Sequence, residues 1–168
     1  MQTVQARAGA DSWLDRLDAS PLGSAMRSDL WLYPLTEVVH IVGFCVLVGS
    51  VVMFDLRVLG LSREIAVTAL ARHLLRFAVA ALLLIVPAGL MMFSAHPHDF
   101  AGNNIFLLKL GLIATAGVNA ALFHVGTYRS VAHWNTGVAA PAIAQIQAVL
   151  SIGLWLGVVL CGRLLAYT

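Results

Sequence analysis

Four long apolar stretches dominate the chain, and short polar segments separate them. They cover residues 31–54, 66–93, 104–125 and 139–165. Each is long enough to cross a hydrocarbon core of about 30 Å, which takes about 20 apolar residues in a helix. Because backbone polar groups need internal partners in lipid, and no stretch alternates like a barrel strand, we expect helices. The pattern predicts an all-α integral membrane protein, with a four-helix up-down bundle over residues 31–168.

The first 30 residues differ from the rest because charged residues interrupt their apolar positions. They contain no apolar h-region of the kind that marks a cleavable signal peptide. Apolar residues recur among the charges at Trp13, Leu14, Leu17, Leu22 and Met26. This pattern favours an amphipathic helix on the membrane surface, although a partly ordered tail fits equally well. We therefore expect residues 1–30 to form an N-terminal interfacial segment.

Composition agrees with a membrane protein. The chain is 60% hydrophobic and 11% charged, and its mean hydropathy is +0.88. A soluble domain is about 45–50% apolar and about 25% charged, so a soluble enzyme and a disordered chain are excluded. The net charge of +2, without a basic run, excludes a nucleic-acid-binding surface. The expected environment is the lipid bilayer, with no nucleic-acid partner.

The distribution of basic residues predicts the orientation. Five arginines lie in or beside the first and third connections: Arg57, Arg63, Arg72, Arg76 and Arg129. The middle connection has no Lys or Arg before Lys109. By the positive-inside rule, the first and third connections then face the cytoplasm and both termini face outside. Asp55 and Arg57 are expected to anchor the end of the first span at the inner interface, where they could form an ion pair.

Two histidines near the ends of the second and third spans support the sharpest functional hypothesis. At 1.5 Å per residue, His73 and His124 both lie about 13 Å to the cytoplasmic side of the membrane centre. Their imidazoles therefore share one level on different helices. Imidazole is a common axial ligand of haem iron, so this level suits one haem b held between helices. Histidines at a helix end can instead reach lipid headgroups, and that alternative stays open.

Four neighbouring residues fit the same hypothesis. Arg72 and Arg76 lie beside His73, and Arg129 follows His124, at the level where haem propionates need cations. Gly117 lies two turns from His124 on the same helix face, where a missing side chain would admit the edge of a macrocycle.

Weaker metal candidates lie nearer the outer side. His40 is separated by about 20 Å, along the membrane normal, from the two histidines that share a level. Glu37 lies one turn from His40 on the same face, so the pair could orient a metal ligand, relay protons or lock helices together. His96 and His98, in the middle connection, are ligand types that suit copper, but a two-residue spacing supplies few ligands. A second haem or a copper ion is therefore less supported than one haem.

The remaining polar groups within the spans are expected to join helices by hydrogen bonds. They include Asn119, Gln145, Gln147 and Ser151. No P-loop, nucleophile elbow, catalytic triad or pair of inward carboxylates occurs in the sequence. An enzymatic activity is therefore not indicated, and an electron-transfer or accessory subunit is favoured.

Several segments resemble a known family: LYPLTEVVH at 32–40, Gly49, DLRVLG at 55–60, Lys109 and NAALFH at 119–124. Together they resemble an uncharacterised family of small bacterial four-helix membrane proteins, over residues 10–166. The resemblance implies a multi-pass protein of the bacterial inner membrane, with both termini in the periplasm. More distantly, histidines on a four-helix membrane core are similar to those of cytochrome b561-like and copper-resistance-D-like proteins. Neither resemblance implies a catalytic residue.

The leading hypothesis is a b-type haem subunit for electron transfer, linked to quinone or to a redox partner protein, in a homo- or hetero-oligomer. One alternative is a cofactor-free scaffold or accessory subunit of a larger complex. Another is a small metal or proton permease that uses Glu37, His40 and the histidines of the middle connection.

Overall fold

The computed structural model describes residues 12–167 of the chain. Two short helices come first, α1 (Trp13–Asp18) and α2 (Pro21–Ser28). The long helices are α3 (Leu32–Leu59), α4 (Val67–Ala95), α6 (Asn104–Val125) and α7 (Ala142–Leu164), with the short helix α5 (Pro97–Ala101) between α4 and α6. Two 3-10 segments, Thr127–His133 and Leu165–Tyr167, follow α6 and α7. Over residues 12–167 there is no strand.

The four long helices are long and apolar enough to cross a membrane. Most of their large apolar side chains are exposed, which is the expected state of a surface that contacts lipid. The prediction of an all-α, multi-pass membrane protein with four spanning helices is therefore confirmed.

The first spanning helix extends beyond its predicted end at residue 54, as far as Leu59. It ends where Gly60 adopts a left-handed conformation with φ 111°, which favours glycine. Asp55 and Arg57 are both buried in the protein instead of anchoring the helix at a membrane interface. In the described part of the chain they form no ion pair with each other, because each is engaged by other residues.

The long helices pack in the order α4, α3, α7, α6. Helix α3 packs along both α4 and α7, and α7 packs along α6. Helices α4 and α6, separated in the chain by the short α5, do not pack along one another within residues 12–167 and meet mainly at one end, where the rings of Phe93 and Phe106 stack. The bundle is therefore closed along three interfaces and open along the fourth.

Arg57 holds the connections together at one end of the bundle, which we call the Arg57 end. Arg57 is only 2% exposed. Nε donates to the carbonyl of Ile65 at 2.6 Å, and Nη2 donates to the carbonyls of Arg63 and Asn135 at 3.0 and 3.1 Å. A guanidinium has five donors in a rigid fork and can therefore serve several carbonyls at once. One side chain thus joins the α3–α4 connection to the loop before α7.

Asn135 continues this network to the start of α4. Its carbonyl accepts from the Val67 amide at 3.0 Å, and its Oδ1 accepts from the Thr68 amide at 3.0 Å. The first amides of a helix have no partner within the helix, so the loop caps α4. Trp134, 2% exposed, packs beside Asn135 in an apolar cluster with Val58 and Phe123. The Arg57 end is consequently fixed by both hydrogen bonds and packing.

The N-terminal helices pack against the opposite end of the bundle. A Cβ on Gly23 would lie 2.6 Å from the carbonyl oxygen of Ser94, so only glycine allows α2 to approach α4 this closely. Arg27 donates to the carbonyl of Ala95 at 2.8 Å, and the ring of Trp13 stacks on Phe93. Residues 12–28 of the predicted interfacial segment thus form helices docked on the bundle, and residues 1–11 lie outside the described residues.

We expect Arg57→Met to lower the free energy of unfolding by about 2–3 kcal/mol, because it leaves partly buried carbonyls without their donor. Thermal unfolding in detergent, followed by circular dichroism, measures the effect. Arg72→Met is the matched control because Arg72 is exposed. Equal shifts in both variants would contradict the role of Arg57.

Candidate functional site

The opening between α4 and α6 forms a cleft of about 290 Å³. Its volume is close to the lower limit of about 300 Å³ for small-molecule pockets. Helix α4 lines it with an apolar face made of Ala71, Leu74, Leu75, Ala78 and Leu82. Helix α6 lines the opposite wall with Ile113, Ala116, Gly117, Ala120 and Phe123, and α3 and α7 form the floor. The walls suit an apolar ligand that enters from the bilayer.

The floor and one wall of the cleft become polar toward the Arg57 end. The polar residues come from three helices: Ser50 and Asp55 from α3, Asn119 and His124 from α6, and Gln147 and Ser151 from α7. Polar and ionisable groups within a membrane span are costly, and they mark functional sites more often than other positions do. This polar end is therefore the candidate functional site.

Asp55 is the carboxyl group of this site. The residue is 7% exposed, and the Ser151 side chain on α7 is the polar neighbour of its carboxyl group. Its Oδ2 atom is buried and has no hydrogen-bond partner among the described residues. A buried polar atom without a partner is rare in folded proteins, so it calls for a specific explanation.

His124 is the imidazole of this site. Its Nδ1 lies 2.8 Å from the carbonyl oxygen of Ala120. Since a carbonyl only accepts, Nδ1 carries the hydrogen in this bond, and Nε2 of the neutral ring keeps its lone pair. The ring also packs against Phe123 and Tyr128. Histidines that ligate metals are commonly oriented in this way, through a hydrogen bond from the other ring nitrogen.

His73 lies on the other side of α4. Ala71 and Leu75 of α4 line the cleft. His73 is two residues from each of them, and two residues correspond to a rotation of about 200° around the helix axis, so His73 faces away from the cleft. Its exposed ring packs edge-on against Phe77, with 5.1 Å between ring centroids. The structure therefore does not bring His73 and His124 together in the cleft, because a shared level does not fix the direction in which each helix presents its side chain.

Of the other residues expected near a haem, one lines the cleft and three do not. Gly117 lines the cleft, and a Cβ there would meet no described atom within 4 Å, so space is available beside it. Arg72 and Arg76 are exposed, each one residue away from a cleft-lining residue of α4. Arg129 is exposed on the 3-10 segment after α6.

His40 fastens α3 to α4 in the other half of the bundle. Its Nδ1–H donates to the carbonyl of Ile85 at 3.1 Å. Gly89 makes room for the ring, because a Cβ there would lie 3.2 Å from Cε1 of His40. Glu37 is exposed one turn away, and its charge and that of Lys109 on α6 both act on this imidazole.

The histidines between α4 and α6 make contacts near the N-terminal helices. His98 Nε2 lies 3.1 Å from the carboxylate of Asp15, and His96 Nδ1 lies 3.8 Å from that of Asp99. Within residues 12–167, no three His, Cys, Asp or Glu side chains form a group that could hold a metal ion. His96, His98, His40 and Glu37 are therefore not gathered into one centre.

The sequence analysis identified some members of the polar end and missed others. Asn119 was expected to join helices, and its Nδ2 donates to the carbonyl of Gln147 on α7 at 3.0 Å. Asp55 was interpreted as an interface anchor. The one sequence feature that indicates a buried Asp55 is its position within an apolar run, two residues before Arg57. Its burial becomes evident only because α3 continues to Leu59.

A family model described as "Family of unknown function (DUF6644)" matches residues 20–168. No curated protein and no solved structure matches the chain. The match extends over all four long helices, including every residue of the polar end. The chemistry of the site must therefore be argued from its own residues.

We expect Asn119→Ala to destabilise the protein by about 0.5–1.5 kcal/mol, because interhelical hydrogen bonds within membranes contribute about this much. Thermal unfolding in detergent is the measurement. Thr115→Ala is the control, since the Thr115 hydroxyl donates to a carbonyl of its own helix, that of Gly111. An unchanged midpoint for Asn119→Ala would show that this bond does not hold α6 against α7.

Proposed function

The chain belongs to the DUF6644 family, whose function is unknown, and we propose from its cleft that it is a membrane electron-transfer subunit with one b-type haem. The observation that carries the proposal is the state of His124. The hydrogen bond from Nδ1 to Ala120 leaves Nε2 as the free ring nitrogen of a cleft-lining histidine. A neutral imidazole held in this way is a suitable axial ligand for haem iron.

The other residues of the cleft suit such an occupant. Its walls are apolar on both α4 and α6, and Gly117 leaves space next to the wall that carries His124. Arg72 and Arg129 are exposed toward the Arg57 end, where they could pair with propionates. When bound, the haem would carry one electron, and the bundle would supply its placement and its electrostatic surroundings.

The iron would have one histidine ligand, as it has in globins and peroxidases. His73 takes no part in it, because the lining residues Ala71 and Leu75 occupy the other side of α4. The looser resemblance to cytochrome b561-like and copper-resistance-D-like proteins favours the same class of chemistry, without supplying the ligands.

The location and partners belong to the same proposal. The arginines beside the α3–α4 connection favour a cytoplasmic Arg57 end, with both termini in the periplasm of a bacterium and the chain in its inner membrane. Quinone in the bilayer or a redox partner protein would exchange electrons with the haem. Large exposed apolar faces leave room for further subunits, in a homo- or hetero-oligomer.

We expect the protein, purified in mild detergent, to show a Soret band that shifts on reduction with dithionite. His124→Ala should abolish the band, because it removes the proposed ligand, whereas His73→Ala should leave most of it. Circular dichroism checks that both variants fold. A colourless preparation with substoichiometric iron would overturn the proposal and leave an accessory subunit or a permease as the remaining hypotheses.

Filling the cleft provides a second test. Gly117→Leu should prevent haem binding, because its side chain would occupy the space beside the α6 wall. Gly111→Leu is the matched control, since a Cβ at Gly111 also meets no described atom within 4 Å but this residue does not line the cleft. Absorbance per protein and iron content measure the outcome. Equal haem content in both variants would exclude this cleft as the binding site.

A further inference from the structure

We infer that Asp55 is a proton-binding site inside the membrane that exchanges its proton through the cleft. This inference goes beyond the proposed haem, with which it shares the cleft, and its test does not involve haem. It rests on the burial of the carboxyl group, on the absence of a cation beside it and on the opening that leads to it from the bilayer.

The burial of Asp55 makes its ionised form costly. Asp55 is 7% exposed, and the Ser151 hydroxyl is the one polar neighbour that acts on its carboxyl group among the described residues. Its Oδ2 lacks any partner in the described structure. An isolated carboxylate in an apolar environment costs far more than a neutral carboxyl group, so a buried carboxyl without enough partners takes up a proton.

No cation compensates the carboxylate. The nearest arginine along the chain, Arg57, gives its donors to the carbonyls of Ile65, Arg63 and Asn135. None of the described residues that line the cleft is Lys or Arg. A carboxylate at this position would therefore have no ion pair.

The groups that face Asp55 across the cleft come from three helices. Helix α4 presents only apolar side chains there. Helix α7 presents Gln147 and Ser151, which are polar but do not titrate. Helix α6 presents Asn119 and one titratable group, His124. Asp55 is thus the one carboxyl group of the cleft among the described residues.

The cleft gives the proton a route. In the described structure α4 and α6 do not pack along one another beyond the Phe93–Phe106 pair at the far end, and the space between them reaches Asp55 on the floor. A lipid-soluble molecule that carries a transferable proton could therefore approach the carboxyl group of Asp55 from the bilayer. The carboxyl group would donate to it when protonated or accept from it when ionised.

Dicyclohexylcarbodiimide, a lipid-soluble reagent for carboxylic acids, tests the inference on the full chain in lipid vesicles. The acid adds across one C=N bond: the carboxyl oxygen bonds to the central carbon and the proton goes to nitrogen. The resulting O-acylisourea rearranges to an N-acylurea without loss of atoms. Peptide mass spectrometry locates the adduct. We expect labelling of Asp55 at neutral pH that declines as the pH is raised, because only the protonated acid reacts.

Three comparisons complete the experiment. Asp55→Asn should lose the adduct, and Glu37→Gln should retain it at Asp55. A water-soluble carbodiimide should label exposed acids such as Asp99 and spare Asp55, because access is from the lipid. A further measurement uses the wild-type protein and so does not depend on whether a variant folds. An infrared band of a protonated carboxyl group should be present at neutral pH. Its absence, or the absence of an adduct on Asp55 at every pH, would overturn the inference.

Discussion

The contact on which the rest of this bundle depends is the one between the Arg57 guanidinium and three carbonyls of the connecting segments. In hydrocarbon, helices gain little from burying apolar surface against each other, so polar contacts and close packing must set their arrangement. Arg57 and Asn135 join the end of α3, the start of α4 and the loop before α7 in one network. With those ends fixed, α4 does not have to pack along α6, and the fourth side of the bundle can stay open.

That open side brings together an apolar wall and a polar floor. The two groups at its polar end that titrate differ in how they are held. Nδ1 of His124 is engaged by a backbone carbonyl of its own helix, whereas the carboxyl group of Asp55 has Ser151 on another helix as its polar neighbour. Each of the two groups therefore keeps one polar atom that no described residue engages, Nε2 in one case and Oδ2 in the other.

The sequence was sufficient to predict the number of spanning helices and their approximate limits, because the thickness of the bilayer sets the length of each apolar run. It also placed Gly117 and His124 on the same face of α6. It could not predict that His73 lies away from the cleft, since rotation about a helix axis depends on packing against its neighbours. The burial of Asp55 was missed for a related reason: a charged residue near the end of an apolar run is typical of an interface, and only the contacts of α3 with α7 show that it is inside.

The sideways opening between α4 and α6 faces the bilayer, and this sets the route that a ligand of the cleft would take. A pocket facing water is reached by solutes according to their aqueous concentration, whereas this cleft would be reached by molecules that have already partitioned into the hydrocarbon. Hydrophilic metabolites, however abundant, would be held back by the bilayer. Partitioning into the membrane would thus precede any selection by the polar atoms on the cleft floor.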